Sequence, residues 1–242
     1  LQKAKNVAEC ITETYETEVK LLKAEILLNE GNLDEAEKLL DSIEDKESLN
    51  TILDVSYLYM DMGYPEKALS WLTLGIEEYK EEEDFLAAMA DCYRSGDHDE
   101  QAIYIYNKLI DKNPYDPSYW TGLAKSHFNR QEFEKTIEAC DFALAADENF
   151  GEAHLMKAHS FFHLENESKA IQEYQLALKG QSIPPEFAHM FIGLAYTHLE
   201  NWELGYQNYE RALKFIGDEE SPILTDIYSN EAYCLSKMGR YE

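Results

Sequence analysis

Apolar residues along this chain recur in steps of three and four, as at Ile103, Tyr106, Leu109 and Ile110, with polar residues between them. That spacing gathers apolar side chains on one stripe of a helix, so the chain reads as helix throughout. The helical stretches break at Gly31-Asn32, Gly63-Tyr64-Pro65, Gly96-Asp97, Arg130-Gln131, Glu165-Asn166, Glu200-Asn201 and Gly239-Arg240. Glycine stops a helix by accepting the left-handed conformation. Pro65 suits a first helical position, because its missing N–H would be unpaired there in any case.

A series of small residues sets the period. Ala24, Ser56, Ala90, Ala124, Ala158, Gly193 and Ala232 lie 32, 34, 34, 34, 35 and 39 residues apart. Ala36, Ala68, Ala102, Thr136, Ala170 and Gly205 each follow 12 residues after a member of the first series. Two small residues per period predict two antiparallel helices that approach closely at one point, where a large side chain would hold them apart. The series divides the chain into repeats at 17–48, 49–82, 83–116, 117–150, 151–185 and 186–224, with a partial seventh at 225–242. Residues 1–16 read as an N-terminal helix or the end of an earlier repeat. Extra residues at Pro184-Pro185 and at 217–222 predict looser connections, the second a candidate hinge. A stacked array needs a terminal cap with a polar outer face, and none follows the last turn, so the chain is expected to continue beyond Glu242.

The fourth repeat carries Trp120, Leu123, Ala124, Phe133 and Ala143, followed by Asp147 and Glu148. This order of aromatic, Leu, small residue, aromatic and Ala resembles the tetratricopeptide repeat, and the likeness extends in phase over 17–242. Departures are Thr136 for the usual Ala, His127 for the usual Tyr, and a terminal Pro kept only as Pro114. The resemblance implies an all-α, right-handed superhelical solenoid of helix-turn-helix repeats. It also implies that first helices line a concave groove in which a partner peptide or helix lies.

On that frame the second, fifth, ninth, twelfth and thirteenth residues of each repeat face the groove. In the first three repeats these include Glu18, Glu25, Asp61, Asp84 and Asp91, set against Arg94, and this half is acidic. From the fourth repeat onward they include Lys125, Phe128, Asn129, Glu152, Leu155, His159, Phe162, His163, Met190, Leu194, His198, Tyr233 and Lys237. The expected partner-binding residues are Arg94, Lys125, Phe128, Asn129, Leu155, His159, Phe162, His163, Met190, Leu194 and His198. Some members of the family grip a C-terminal carboxylate with Lys and Asn on successive first helices. Here Leu21, Glu25 and Asp54 stand in those places, and only Lys125 with Asn129 echoes the pattern.

Charge narrows the partner. Against 48 Asp and Glu the chain has 21 Lys and Arg, a formal net charge of −27. Binding phosphate backbones or anionic lipid normally needs Lys or Arg to displace counterions, so neither nucleic acid nor membrane is expected. A protein or peptide with basic and apolar residues fits better. Cys10, Cys92, Cys140 and Cys234 show no metal-binding spacing and read as buried thiols. They favour a reducing, cytoplasmic setting, although a first residue of Leu1 leaves room for a removed export signal.

Five of the seven histidines, His154, His159, His163, His189 and His198, fall in two repeats, and three of these could share one face. Without a nearby Cys or well-placed carboxylate they read as packing or partner contacts, and no metal is expected. No phosphate loop, nucleophile elbow or zinc motif is present, so neither cofactor nor enzymatic activity is expected. Two readings remain: a protein-interaction scaffold, or a regulatory or sensor segment of a larger enzyme or transcription regulator whose effector domain lies outside this chain.

Overall fold

In a computed structural model the chain is described over residues 2–217 and 221–240, with side chains from residue 15 onward. Residues 218–220, within the expected hinge, lie outside the described residues. So does the side chain of Cys10. All thirteen elements among the described residues are α-helices. Their contacts gather into two units, Leu1–Leu109 and Ile110–Glu242.

Unit 1 holds α1 (Gln2–Asn29), α2 (Leu33–Asp41), α3 (Leu49–Asp61), α4 (Pro65–Tyr79), α5 (Glu83–Ser95) and most of α6 (Asp99–Lys112). Unit 2 holds α7 (Pro117–Asn129), α8 (Phe133–Ala146), α9 (Gly151–His163), α10 (Glu167–Lys179), α11 (Pro185–His198), α12 (Trp202–Ile216) and α13 (Leu224–Lys237). Consecutive helices pack in pairs, and within each unit alternate helices also touch, as α3 touches α5 and α7 touches α9. α1 runs unbroken through the boundary expected at residue 16, since no Gly or Pro interrupts the helical pattern there.

The small residues sit at the helix crossings. Ala24, Ser56, Ala90, Ala124 and Ala158 are buried, as are Ala36, Ala68, Ala102, Thr136 and Ala170. A Cβ placed on Gly205 would stand 2.8 Å from Thr197 Oγ1, so α11 and α12 approach too closely for a side chain there. Ala232 is the exception and is exposed. α13 packs on α12 through Ile227 and Cys234, and no described helix lies over Ala232.

Seven residues after each member of the first small-residue series, the backbone enters the left-handed region. Gly31, Gly63, Asp97, Gln131, Glu165, Glu200 and Gly239 have φ between +56° and +79°. The residue after each then donates its N–H to the carbonyl five residues back, as Asn32 does to Leu27 and Asn166 to Phe161, both at 2.8 Å. This closure satisfies carbonyls that a helix end leaves open. The sequence places the left-handed residue at Gly96, whereas Asp97 takes it and Gly96 keeps φ −91°. Asp tolerates this conformation better than most side chains.

Candidate functional site

In unit 2 most of the expected groove residues fall on α7, α9 and α11. Asp116 caps α7 by accepting from the Ser118 N–H, and Pro117 opens it, which fixes where Lys125 and Phe128 emerge. The Phe128 ring centroid lies 5.4 Å from Phe133, 5.5 Å from His163 and 6.3 Å from His159. His163 stacks flat on Phe133 with centroids 4.7 Å apart, and Phe162 lies 4.8 Å from His198. His198 Nδ1 is 3.5 Å from Glu167 Oε1. Lys125 Nζ lies 2.6 Å from Glu152 Oε1, so two expected groove positions on adjacent first helices pair with each other.

His159 lies deeper. Its Nδ1 shares a 2.8 Å hydrogen bond with the Tyr174 hydroxyl, and the ring meets Phe191 edge-on at 4.9 Å. Burial, and secondarily His163, lowers its pKa to about 4, so it is neutral under ordinary conditions. The geometry thus brings Phe128, His159 and His163 into one group of rings and Phe162 and His198 into a second, with His163 and His198 the exposed members. Leu155 and Met190 lie partly buried against cores of the unit, and Leu194 is also partly buried. Asn129 is exposed at the end of α7.

Arg94 belongs to unit 1. Its Nη2 donates to Asp91 Oδ1 at 2.9 Å, and the Tyr106 hydroxyl donates to the same oxygen at 2.8 Å. Its Nε is buried without a hydrogen-bond acceptor. The acidic character of this unit is felt at Tyr57, whose hydroxyl is pushed up by burial and then by Asp91, Asp84 and Asp54.

Three features were not legible beforehand. Phe133, Tyr174 and Phe191 complete the ring network, and of these only Phe133 had a sequence signal, as the repeat's second aromatic. Glu173, which helical period alone places outward, is instead mostly enclosed. Its Oε2 lies 2.6 Å from His154 Nδ1 and its Oε1 lies 3.0 Å from Lys157 Nζ, which also reaches Asp141 at 2.8 Å. The three imidazoles that could share a metal each face a ring or hydroxyl of their own. Among the described residues no group of three or more His, Cys, Asp and Glu is gathered as a metal site requires. Cys92, Cys140 and Cys234 are free and buried, and burial pushes the first two thiols up to about 12. No described helix is long and apolar enough to cross a membrane.

Residues 121–186 match a tetratricopeptide-repeat family model. Over 87 residues, 36% of this chain, the sequence is 28% identical to human RNA polymerase II-associated protein 3. That match spans 13% of the longer protein. Solved structures share the fold: a thermophilic TPR protein from Thermus thermophilus, at 14% identity and TM-score 0.62, covers 78% of this chain and is itself wholly covered. A tetratricopeptide repeat protein from Parabacteroides merdae, at 14% identity and TM-score 0.69, covers 90% of this chain and 84% of its own. MamA protein, at 17% identity and TM-score 0.57, covers 69% of this chain and 91% of its own. Residues 121–186 thus resemble tetratricopeptide repeats, and the chain shares the all-α helical repeat fold of these solved structures.

Proposed function

We propose that the chain is a tetratricopeptide-repeat scaffold, that the first-helix face of unit 2 is its docking surface, and that the occupant is a protein segment with apolar anchors. The observation that carries this reading is the two groups of partly exposed rings, Phe128 with His163 and Phe162 with His198. Flat rings gain contact area at small entropic cost and are enriched where interfaces concentrate their energy. Glu152 and Glu167 border the rings, so basic side chains of the partner suit their flanks. A regulatory module within a longer protein is a second reading, supported by the small part of the human relative that the match spans.

Affinity capture from the source organism with mass spectrometry tests the face. Phe128→Ala, and Lys125→Glu, which opposes Glu152, should each reduce partner recovery several-fold, about 1–2 kcal/mol per anchor. Glu138→Lys, at an exposed position of α8, should leave recovery unchanged. Circular dichroism confirms folding of each variant. Equal recovery by all of them would move the binding function off this face.

A further inference from the structure

Unit 1 carries an apolar groove of about 450 Å3 between α4 and α6, floored by α5. Three helical stripes converge on it. α4 contributes Ile76, with Lys80 at its C-cap, and α5 contributes Leu86 and Met89, both buried. α6 contributes Tyr104, Ile105 and Lys108, with Tyr104 65% exposed. The volume falls in the roughly 300–1,000 Å3 range of pockets that enclose a compact ligand or a few anchoring side chains. An exposed Tyr and Ile over a buried apolar floor leave a surface that water solvates poorly.

Two lysines, Lys80 and Lys108, line one end of the groove in an otherwise acidic molecule. Lys108 Nζ lies 5.5 Å above the Tyr104 ring and has no carboxylate within 4.0 Å among the described residues. Among the described residues Lys80 pairs with Glu77 of the helix it caps and no other carboxylate, at 4.0 Å, with both side chains in solvent. Tight turns reverse the chain at each step, so α4 and α6 point the same way and both lysines stand toward their C-terminal ends. Glu100 lines the other end of the groove, about 12 Å from Lys108 along α6.

We infer that this groove is a second docking site, on the second-helix side of unit 1, for an amphipathic helix with apolar anchors and acidic residues at one flank. It is separate from the face proposed above and does not depend on it. The chain's net charge of −27 opposes acidic partners at long range. At physiological ionic strength that field is screened within about 8 Å, and inside the groove the two nearby ammonium groups decide. A second copy of the chain is a poorer occupant, because it would set two strongly acidic molecules together over a groove of modest area.

The test uses the whole chain and two fluorescein-labelled amphipathic helical peptides with Leu and Phe on one face, one with Glu at a flank and the other with Lys there. The acidic probe should bind more tightly and shift the 13C-methyl signals of Met89, Ile76 and Ile105 in NMR spectra. Ile76→Glu should weaken it roughly tenfold or more. The Lys80→Glu, Lys108→Glu double variant should reverse the preference between the probes while keeping the wild-type melting temperature. Phe128→Ala in unit 2 should change neither result, which separates this site from the other. Equal or tighter binding of the basic probe would overturn the inference, as would methyl shifts confined to unit 2. Concentration-dependent dimerisation abolished by Ile76→Glu would assign the groove to a second copy and equally overturn it.

Discussion

Gly193 of α11 lies directly against the ring of Tyr209 on α12, where a Cβ would stand 2.8 Å from Cε1. Tyr209 is wholly buried and also bonds Thr197 Oγ1 at 3.2 Å, so the ring cannot swing aside without losing a polar contact. Gly193→Ala is therefore expected to destabilise by about 1–3 kcal/mol despite alanine's better helix propensity. Ala158→Leu, at a crossing packed by Ala170 and Tyr174, should cost a similar amount. Urea denaturation midpoints check both, and unchanged midpoints would contradict the crossing assignment.

The turns supply an opposite pair. Glu165 is exposed with φ +56°, so Glu165→Gly should relieve left-handed strain and stabilise by up to about 1 kcal/mol, after glycine's larger entropy loss is counted. Gly63 has φ +76° with open space around it, so Gly63→Ala tests conformation without a clash and should cost about 1–2 kcal/mol. Calorimetric melting separates them by sign.

Glu173→Lys should be damaging, because it sets a second ammonium beside Lys157 and removes the carboxylate that His154 contacts in a mostly enclosed site. Glu173→Gln should cost about 1–3 kcal/mol, less than a fully buried pair because some solvent reaches the cluster. A double-mutant cycle with His154→Gln measures the coupling, and independent effects would show that the 2.6 Å contact contributes nothing.

The lowered pKa of His159 makes stability depend on pH with a definite sign. An unfolded histidine takes up its proton near pH 6.5, whereas the folded one resists until about 4. Between these values the unfolded chain binds more protons, so stability falls as pH falls through that window. His159→Phe should flatten this part of the melting profile. Glu132, whose carboxylate is held at about 2 by hydrogen bonds from Lys135 and His127, loses its contribution lower, from its ordinary range near 4 down to about 2. Identical wild-type and His159→Phe slopes above pH 4 would rule out the buried imidazole as their cause. It also follows that His159 adds no positive charge near pH 6, contrary to what three histidines on one face suggest.

Much of the molecule was legible in one dimension because its contacts repeat at nearly fixed separation. Ala124 and Thr136, or Ala158 and Ala170, must meet wherever two helices of this length fold back through a short turn, so their spacing encodes the crossing. The left-handed turn residues are legible for the same reason. Which of two neighbours takes that conformation was not, since at Gly96 and Asp97 the register of the closing hydrogen bonds decides. Ala232 shows the converse: it holds a crossing position in the sequence but is exposed, because burial needs a helix to lie over it.

The sequence alone determined the helical period, the small-residue crossings, the acidic balance and the side of each helix on which Lys125, Phe128 and His163 fall. Only the tertiary structure decided what those side chains meet: Lys125 its Glu152, His163 the flat of Phe133, His159 the Tyr174 hydroxyl, and Glu173 the His154 ring and the Lys157 ammonium in place of water. The physical reason is that periodicity fixes a direction around one helix axis. An ion pair or a stacked ring depends on distances of a few ångströms between two axes, and those are set by how the repeats pack.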